Sequence, residues 1–427
     1  MSDKKKRLAI LASGGPAPGI NSVINAATIE AINVGWEVWG VRDGYRGLVE
    51  DEMRELTLED IAWIHYEGGA VLGMSRTNPK TPENLERIVA TLERRGIDML
   101  LTIGGDDTAF GAAVIADAMA GKLRTVHVPK TIDNDLPLPP GVPTFGYTTA
   151  QHVGVGLVKN LMLDARTCSR WYLVVSMGRQ AGHLAVGIGK AAGATVTLIP
   201  EEFGETVRLE TIVRTLEGSV IKSRAHGRDW GVAVVAEGVI ERLDRADLAK
   251  FPNIRRDNFG HLLLADVNLG KLLCGELEDR LGPRGIGTRF NDVTLGYELR
   301  CADPVPFDIE YTRDLGFAAI RFLVEGGSNG MVMIEGGKRR SKPFHEMRDP
   351  KTGKTIVRNV DVTQESYLVA RRYMQRLTAK DFDDRQDIER LAAAAGTTTE
   401  EFVAYFGSLV EGEPEQYSWE DSVRDRL

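Results

Sequence analysis

Adjacent glycines after a short apolar run make residues 13–21, SGGPAPGIN, a candidate for binding an anion. Glycines in such a turn let backbone N–H groups approach a phosphate, and the N-terminus of the following helix adds a favourable dipole. Asn21 is a candidate N-cap for that helix. Because the spacing matches neither a Walker A loop nor a GxGxxG fingerprint, a strand-to-helix turn without a ligand is the alternative.

Two adjacent carboxylates, Asp106 and Asp107, follow a second pair of glycines in residues 104–108, GGDDT. Adjacent carboxylates repel each other and any phosphate, so this pattern indicates a cation nearby. A carboxylate together with substrate phosphates is the usual means of holding Mg²⁺. The alternative is the first turn of a helix, where acidic side chains complement the helix dipole.

A lysine, a hydroxyl and two carboxylates stand together in residues 129–135, PKTIDND. Asp133 is a candidate general base for an attacking hydroxyl, and Lys130 can neutralise the charge on a transferring phosphoryl group. A simple turn does not need so many functional groups, although a turn is the alternative interpretation.

Several arginines follow predicted strands or stand next to glycines, where a bidentate fork can hold a fixed phosphate. They are Arg76, Arg170, Arg179, Arg289 and Arg300. Taken singly, each has the ordinary interpretation of a surface arginine. Only as a set do they indicate a phosphorylated substrate.

The candidate loops follow short apolar runs that predict the strands of a parallel, doubly wound α/β sheet. Strands are predicted at 8–12, 37–41, 99–103 and 125–128, with a helix at 21–33. Each strand ends at a glycine-rich or polar turn before a helix, which is typical of such sheets. Because these sheets bind ligands beyond the C-terminal ends of their strands, the candidate loops are placed where ligands bind.

A second set of α/β elements begins near Trp171 and predicts a second Rossmann-like lobe facing the first across an active-site cleft. Strands are predicted at 171–175, 194–199 and 230–236, with a helical region at 244–281 and a late strand at 332–335. We expect lobes over 1–165 and 166–340, the chain being free to cross back between them. A C-terminal extension is expected over 341–427, with a hairpin at 347–355 and helices from about 379 onward.

Composition narrows the class of protein. The chain has 427 residues, 43% hydrophobic and 27% charged, which is typical of a soluble globular protein too long for one compact core. Its formal net charge of -8 is not that of a nucleic-acid binder, and the basic run at 4–7 is interpreted as a solvated lead-in to the first strand.

Three widely spaced cysteines exclude a disulfide framework and a zinc site, which fits a reducing compartment. With no signal pattern and no apolar run long enough to span a bilayer, we expect a cytoplasmic enzyme.

Taken together, the motifs resemble the phosphofructokinase family. They are GGxxPGxN at 14–21, GGDDT at 104–108, PKTIDND at 129–135, MGR at 177–179, Glu237-Gly238 and GYELR at 296–300. They occur in the family's order over roughly residues 8–335, and their combination is highly specific although no single motif is. The resemblance implies a two-lobed α/β fold, a donor- and metal-binding first lobe, a sugar-phosphate-binding second lobe, and Mg²⁺ as cofactor. The implied reaction phosphorylates the 1-hydroxyl of fructose 6-phosphate.

The resemblance also implies roles for individual residues. Asp133 is similar to the family's general base on the sugar hydroxyl, and Asp106 to its Mg²⁺ carboxylate. The implied catalytic residues are Asp133, Lys130, Asp107 and Arg179. The implied donor-phosphate contacts are Gly14, Gly15, Arg76, Gly105, Asp107, Thr108 and Lys130. The implied substrate contacts are Thr131, Ile132, Asp133, Arg170, Met177, Gly178, Arg179, Glu237, Arg289, Tyr297, Glu298, Leu299 and Arg300. At Tyr297 the chain departs from the family, in which His is more common.

Two of these arginines imply an oligomer. Arg170 stands seven residues before Met177, as in the family, where it reaches the 6-phosphate from a neighbouring subunit. Arg289 is a similar candidate, although its spacing to Tyr297 is longer than in the short ATP-using members. The resemblance therefore implies a homodimer or homotetramer with shared active sites, for which a symmetric dimer is the minimum unit. Neither nucleic acid nor a membrane is an expected partner.

Two positions bear on the phosphoryl donor. Asp107 and Lys130 resemble the pyrophosphate-using branch of the family, whereas ATP-using members commonly have Gly at both. A carboxylate at 107 fills the volume that a nucleotide's α-phosphate needs and repels that phosphate. Lys130 can supply part of the stabilisation that a smaller donor gives up. We therefore expect pyrophosphate, in a near-equilibrium reaction of glycolysis and its reverse. ATP is the alternative, if a nearby lysine partners Asp107 and the pocket rearranges.

Other classes of function are less consistent with the motifs. Lipid and NAD kinases also use a GGDG-type loop, but they lack the PKTIDND, MGR and GYELR segments. A non-catalytic relative would have lost the base or the metal carboxylate, whereas Asp133 and Asp106 are both present. Sedoheptulose 7-phosphate has a similar ketose end and is a further candidate acceptor.

Overall fold

The computed structural model describes residues 5–249, 268–347, 350–351, 355–413 and 417. The chain forms two compact units, each made of two separate stretches of sequence. The first unit is Met1–His152 with Tyr297–Arg358, and the second is Val153–Gly296 with Asn359–Leu427. The boundaries predicted at 165/166 and 340/341 do not coincide with this division, in which the chain passes between the units after residues 152, 296 and 358.

The strands of the described residues are, in chain order, β1 (Arg7–Ala12), β2 (Glu37–Val41), β3 (Met53–Glu55), β4 (Met99–Gly104), β5 (Arg124–Pro129), β6 (Arg170–Ser176), β7 (Val196–Leu198), β8 (Gly231–Ala236), β9 (Arg289–Leu295), β10 (Gly330–Glu335) and β11 (Lys338–Pro343). The helices are α1 (Ile20–Asn33), α2 (Tyr45–Glu50), α3 (Pro82–Arg95), α4 (Asp106–Ala118), α5 (Tyr147–Cys168), α6 (His183–Ala192), α7 (Leu209–Ala225), α8 (Arg245–Leu248), α9 (Leu269–Leu281), α10 (Tyr297–Arg300), α11 (Pro306–Val324), α12 (Glu365–Arg372), α13 (Arg385–Ala395) and α14 (Thr399–Phe406). Short 3₁₀ helices lie at Ile64–Tyr66, Pro200–Glu202, Glu237–Arg242, Gly282–Arg284, Phe344–Met347, Ala379–Phe382 and Gly407–Leu409.

The predicted strands are confirmed, and their ends differ from the prediction by at most two residues. The helical region predicted at 244–281 is observed as α8 and α9, and residues 250–267 between them lie outside the described part of the chain. The hairpin predicted at 347–355 falls largely on residues outside it as well. A hairpin is observed earlier in the chain, between β10 and β11.

The described residues of the first unit form a seven-stranded sheet in the order β11-β10-β5-β4-β1-β2-β3. Neighbouring strands from β10 to β2 are parallel, whereas β11 and β3 pair antiparallel at the two edges. β1 and β4 are nearly continuous runs of buried side chains, as expected for parallel strands covered on both faces. From β1 the chain goes to β2 on one side and later to β4 on the other, so the C-terminal ends of β1 and β4 form a switch point.

Strand β10 explains why the predicted domain boundaries are displaced. It lies next to β5 in the first sheet, where Gly330 pairs with Val126 and Met331 with His127. An apolar run predicts that a strand forms, but the run does not specify which sheet the strand joins. The late strand therefore belongs to the unit that contains the start of the chain.

The second unit holds, in its described residues, a four-stranded parallel sheet in the order β7-β8-β6-β9. The chain leaves β6 for β7 and β8 on one side and later reaches β9 on the other. A second switch point therefore lies between β6 and β9. The segments that follow the C-terminal ends of β6, β8 and β9 are residues 177–179, 237–238 and 296.

Most of the predicted C-terminal extension is part of the second unit's core. Leu391, Phe402 and Phe406 are at most 1% exposed and pack in the same cluster as Trp171 of β6. Helix α14 is also tied to α7, because the Tyr405 hydroxyl lies 3.1 Å from Oε2 of the fully buried Glu217. Residues 355–358 close the first unit and 359–413 continue the second, so the segment predicted over 341–427 is divided between them.

No helix among the described residues combines the length and the apolar character that crossing a membrane requires. Cys168, Cys274 and Cys301 all have free thiols. Burial raises the pKa of the Cys274 thiol to about 12, so this thiol stays protonated at neutral pH.

Candidate active site

The loop after β1 starts at the first switch point and is held by its backbone. Ser13 N–H donates to the Ile103 carbonyl at 3.0 Å, and Gly14 N–H donates to the Ser75 carbonyl at 3.0 Å. Gly14 has a φ of 88°, a conformation that residues with a side chain rarely adopt. The loop therefore lies between the end of β4 and the segment that carries Arg76, whose side chain is exposed.

Lys130 joins the loop after β5 to the loop after β1. Its Nζ atom donates a hydrogen bond to the Gly15 carbonyl oxygen, and its backbone N–H donates to the Gly104 carbonyl at 2.8 Å. Lys130 is 6% exposed, so its ammonium group is largely shielded from water. A shielded positive charge beside two glycine loops is well placed to attract a phosphate group.

A buried histidine that the sequence pattern does not single out supports the same glycine pair. His127 is fully buried, with Nε2 3.0 Å from the Gly104 carbonyl oxygen and Nδ1 2.9 Å from Thr102 Oγ1. Because a carbonyl can only accept, Nε2 carries the proton and Nδ1 accepts from the threonine hydroxyl. Burial lowers the pKa of His127 to about 3, so the ring is neutral at physiological pH. In the sequence, His127 is marked only by being a polar residue between the two valines of β5.

Asp106 and Asp107 form the first turn of α4, directly after the N-cap Gly105. Asp106 Oδ2 accepts a hydrogen bond from Thr355 Oγ1 at 2.7 Å. Asp107 forms an ion pair with Lys80, in which Nζ lies 3.8 Å from Oδ1. The two carboxylates thus lie in the first turn of a helix, which was the alternative to a cation site in the sequence analysis. Their side chains have different partners. This position does not exclude a role in holding a cation, because Mg²⁺ is commonly bound by one or two carboxylates together with substrate phosphates.

Thr108 serves the packing of the glycine pair. A Cβ on Gly104 would lie 2.3 Å from Thr108 Oγ1, so only glycine fits at that position. The Tyr45 hydroxyl donates to the Thr108 carbonyl at 2.6 Å. At 4% exposure, the Thr108 side chain faces Gly104 and supports the loop from within.

Asp133 lies in a loop whose backbone is held on both sides. Its N–H donates to Thr131 Oγ1 at 3.0 Å, and the Thr144 hydroxyl donates to the Thr131 carbonyl at 2.7 Å. Ile132, between them, is 4% exposed and points into the interior. Asp133 is 8% exposed, and its carboxylate accepts no hydrogen bond from any residue that the structure describes. A shielded carboxylate of this kind is suited to accept a proton from a substrate hydroxyl.

The residues present fit a Mg²⁺ ion that is shared with the phosphates of a substrate. Within the described ranges, no group of three or more His, Cys, Asp or Glu side chains forms a metal cage made of protein alone. Mg²⁺ is commonly held by one or two carboxylates together with substrate phosphates and water. Asp106, with one oxygen held by Thr355, offers its other oxygen beside the glycine loops.

In the second unit, Glu237 fixes the turn after β6. Its Oε1 atom accepts hydrogen bonds from Gly178 N–H at 3.1 Å and Arg179 N–H at 3.0 Å. Arg179 has a φ of 48°, which is uncommon for a residue with a side chain and occurs often at functional sites. A Cβ on Gly238 would lie 2.1 Å from the Arg179 carbonyl oxygen. The MGR and Glu-Gly motifs therefore form one packed turn that requires glycine at 238.

Met177 closes the same turn toward β9. Its N–H donates to the Leu295 carbonyl at 2.9 Å, and the side chain is 4% exposed. A Cβ on Gly296 would lie 2.4 Å from Met177 Sδ. Glycine at 296 therefore lets the methionine pack against the end of the strand.

Arg170 and Arg289 are paired in register at the amino-terminal ends of β6 and β9. β6 runs from Arg170 to Ser176, so at about 3.3 Å per residue the arginines lie about 20 Å from the edge that carries Met177. Arg170 has a nearby acid, with its Nε 3.6 Å from Asp164 Oδ2, and Arg289 is exposed. The structure thus brings the two arginines together and places both at the end of their sheet opposite Met177.

The GYELR motif spans the passage from the second unit to the first, with α10 in the first. Tyr297 is 67% exposed, and the Arg300 guanidinium carbon lies 5.1 Å from its ring centroid. The same guanidinium lies beside the loop after β1, since a Cβ on Gly15 would be 3.6 Å from it. Glu298 is exposed, whereas Leu299 is fully buried, so only its backbone could contact a substrate.

Most of the predicted site residues thus form two groups, one in each unit. At the C-terminal edge of the first sheet or beside it lie Gly14, Gly15, Gly105, Asp106, Asp107, Lys130, Asp133 and Arg300. At the C-terminal edge of the second sheet lie Met177, Gly178, Arg179 and Glu237. Arg170 and Arg289 stand apart at the opposite edge of that sheet.

Known proteins are similar to this chain over most of its length. The family model for phosphofructokinase matches residues 7–323. A pyrophosphate–fructose 6-phosphate 1-phosphotransferase of Thermotoga maritima is 52% identical over 406 residues, which are 93% of this chain and 97% of that protein. A protein of the same name from Naegleria fowleri is 46% identical over 95% of this chain and 96% of its own. The solved pyrophosphate-dependent phosphofructokinase of Nitrosospira multiformis covers 100% of this chain and 96% of its own, with a TM-score of 0.66 at 18% identity, which supports the fold alone. This chain belongs to the phosphofructokinase family.

Proposed function

We propose that this enzyme transfers a phosphoryl group from pyrophosphate to the 1-hydroxyl of D-fructose 6-phosphate, forming fructose 1,6-bisphosphate and phosphate. The observation that carries the proposal is the position of Lys130, whose shielded ammonium group is held at the Gly15 carbonyl between two glycine loops. The relatives that are 52% and 46% identical over most of the chain, and that are named for this reaction, support it.

On the donor side, Asp107 and Lys130 favour pyrophosphate over a nucleotide. The Asp107 carboxylate follows Gly105 and is paired with Lys80 at 3.8 Å, so part of its charge is neutralised. Exclusion of an α-phosphate therefore rests on the volume of the carboxylate as well as on its charge. Pyrophosphate has no further phosphate at that place. Lys130 stabilises the charge that develops during transfer, which offsets part of the binding energy that the absent nucleoside would supply.

On the acceptor side, Asp133 takes the proton of the 1-hydroxyl as that oxygen attacks phosphorus. The new oxygen–phosphorus bond forms while the bond to the bridging oxygen of pyrophosphate breaks, and phosphate leaves with the bridging oxygen. Asp106 is the residue that would hold Mg²⁺, which when bound neutralises charge on the phosphates. Shielding of Asp133 keeps its carboxylate from exchanging the substrate proton with bulk water.

The sugar phosphate is proposed to bind at two sets of residues. In the second unit these are the turn of Met177, Gly178 and Arg179, which Glu237 holds in place. In the first unit these are Thr131, Ile132, Tyr297, Glu298, Leu299 and Arg300, of which Ile132 and Leu299 can contribute only their backbones.

Arg170 and Arg289 are proposed to act on a neighbouring copy of the chain. They form a pair of cations about 20 Å from the Met177 end of their own sheet, given the usual rise per strand residue. A pair of arginines is a good receptor for a phosphate group, and here it lies at the edge of its sheet opposite the turn of Met177. A symmetric oligomer, with a dimer as its smallest form, would bring the pair to the 6-phosphate bound by the neighbour.

The free energies of hydrolysis of pyrophosphate and of the sugar phosphate ester are similar. The reaction is therefore proposed to be reversible and to serve glycolysis and gluconeogenesis. The proposal includes a cytoplasmic location, which the three free thiols support because reducing compartments keep cysteines reduced.

Phosphorus NMR of the purified enzyme tests this function directly. With Mg²⁺, pyrophosphate and fructose 6-phosphate, we expect the pyrophosphate signal to be replaced by equal amounts of inorganic phosphate and a C1 phosphate ester. Started from fructose 1,6-bisphosphate and phosphate, the same sample should form pyrophosphate. Hydrolysis of pyrophosphate without the ester, or no turnover in either direction, would contradict the proposal.

A further inference from the structure

Residues 355–358, the 355–358 segment, close the first unit and contact two loops of the candidate site. Thr355 Oγ1 donates a hydrogen bond to Oδ2 of Asp106 at 2.7 Å. The segment is anchored to the preceding turn, where Ile356 N–H donates to the Met347 carbonyl at 3.0 Å. A side chain near the end of the first unit thus contacts the carboxylate that is proposed to hold the metal.

Arg358 is bound to the loop that carries Asp133. Its Nε donates to the Asn134 carbonyl at 3.0 Å, and its Nη2 donates to the Asn134 side-chain oxygen. Its backbone N–H donates to the Asp135 carbonyl at 2.8 Å, and its Nη1 donates to the Val142 carbonyl at 2.7 Å. A planar guanidinium with fixed donors can hold such a set of acceptors, which a lysine could not.

The loop needs such support. Asn134 has a φ of 57°, in the left-handed region that residues with a side chain adopt only when surrounding contacts impose it. Arg358 contacts both the backbone and the side chain of this residue, which directly follows Asp133. Removing the guanidinium would therefore release the conformation that fixes the direction of the Asp133 carboxylate.

Thr355 has a comparable effect on Asp106. It occupies one carboxylate oxygen, and the other accepts no hydrogen bond from a residue in the described part of the chain. Residues that orient a metal-binding carboxylate through its second oxygen commonly change metal affinity when they are replaced.

We infer that the 355–358 segment is a positioning element that fixes both the carboxylate proposed to hold the metal and the carboxylate proposed to accept the proton. Thr355 directs Asp106 toward the Mg²⁺–pyrophosphate complex, and Arg358 directs Asp133 toward the acceptor hydroxyl. The inference rests on the proposed function and assigns positioning roles to two residues that act through Asp106 and through the loop of Asp133.

The threonine is tested with Thr355→Val, which keeps the shape and removes the hydroxyl, and Thr355→Ser, which keeps the hydroxyl. Binding of Mn²⁺ in the presence of pyrophosphate is measured by electron paramagnetic resonance, without any turnover. We expect Thr355→Val to weaken Mn²⁺ binding about tenfold or more, and Thr355→Ser to stay within about threefold of wild type. Thr363→Val is the matched control, because the Thr363 hydroxyl donates a hydrogen bond to the Asp361 carboxylate in the second unit.

The arginine is tested with Arg358→Met, with Arg385→Met as the control for loss of a mostly exposed arginine. We expect kcat to fall about 100-fold in Arg358→Met, while KM for pyrophosphate stays within about threefold, because misplacement of the base affects the chemical step. Thermal unfolding of each variant separates this effect from loss of the fold. If Arg358→Met does not fold, the threonine pair decides the inference.

Equal Mn²⁺ binding by wild type and Thr355→Val would overturn the inference, as would a folded Arg358→Met with wild-type kcat. The proposed function fails differently, through a wild-type enzyme that does not phosphorylate fructose 6-phosphate with pyrophosphate. In that case the Mn²⁺ measurement still decides whether Thr355 orients Asp106.

Discussion

The Lys130 ammonium group donates a hydrogen bond to the carbonyl oxygen of Gly15, and this contact joins the loops after β5 and β1. A Cβ on Gly14 would lie 3.8 Å from the same nitrogen, so the lysine lies against both glycines. The positive charge proposed to meet the phosphoryl group is therefore already in place beside this loop in the protein itself. Preorganised charge of this kind stabilises a transition state without reorganisation at the moment of reaction.

Replacing Lys130 with methionine keeps most of the side chain's volume and removes its charge. We expect kcat with pyrophosphate to fall about 10²- to 10³-fold, while KM for fructose 6-phosphate changes little. Steady-state kinetics of the purified variant measure both constants. Lys122→Met is the control, because Lys122 is an exposed lysine paired with Glu93. A Lys130→Met enzyme with near-normal kcat would refute the assigned role.

Asp133→Asn removes the proton acceptor and keeps the shape of the side chain. We expect kcat to fall by about 10²- to 10⁴-fold, the usual contribution of a general base, with little change in the KM for the sugar. Asp361→Asn, at an exposed position, should leave both constants unchanged. Normal turnover in Asp133→Asn would show that another group takes the proton.

The register pair Arg170 and Arg289 predicts complementation between subunits. Asp133→Asn and Arg170→Met are each expected to be nearly inactive. In a mixed dimer, one site combines both defects and the other has neither. Dissociation and reassembly of an equal mixture should therefore restore about a quarter of wild-type activity, from one intact site in the half of the dimers that are mixed. No recovery, with mixed oligomers verified by native mass spectrometry, would count against shared sites.

His127 predicts a loss of stability in mild acid. Burial lowers the pKa of its folded-state ring to about 3 from the usual 6.5, so between these values the unfolded chain binds a proton that the folded chain does not. The neutral ring's contribution to the free energy of unfolding is fully present above about pH 6.5. It is lost as the pH falls toward 3, by up to about 1.4 kcal/mol per pH unit.

Urea unfolding at pH 7 and pH 5 checks this prediction with His127→Gln, which keeps a hydrogen-bonding group and does not titrate. The variant should be less stable than wild type at pH 7, because Thr102 and Gly104 lose well-placed partners. Between pH 7 and pH 5 it should lose less stability than wild type does. An identical loss in both proteins would show that His127 does not titrate on unfolding.

The strands and the loops that follow them were predictable from sequence because each loop comes directly after an apolar run. Asp106 and Asp107 could be identified in this way because they follow two glycines, and Lys130 because it stands with a hydroxyl and two carboxylates in residues 129–135. The unit that β10 joins was not predictable, because pairing with β5 depends on the packing of distant segments.

Contacts between distant residues were also beyond the sequence pattern. Thr355 and Asp106 are separated by 249 positions, and nothing in the sequence near either residue indicates their hydrogen bond. His127 occupies a strand position that an apolar residue would also satisfy. The sequence pattern allowed that a lysine partners Asp107, and the structure identifies it as Lys80.

The choice of phosphoryl donor is tested by kcat/KM for pyrophosphate and for ATP, each measured with saturating fructose 6-phosphate and Mg²⁺. Asp107→Gly is measured beside the wild type, since it removes the carboxylate that is proposed to fill the α-phosphate position. We predict a wild-type preference for pyrophosphate of about 100-fold or more, given that a close like-charge contact costs several kcal/mol, and a smaller preference in the variant because its use of ATP rises. Equal or better use of ATP by the wild-type enzyme would show that pyrophosphate is not the preferred donor.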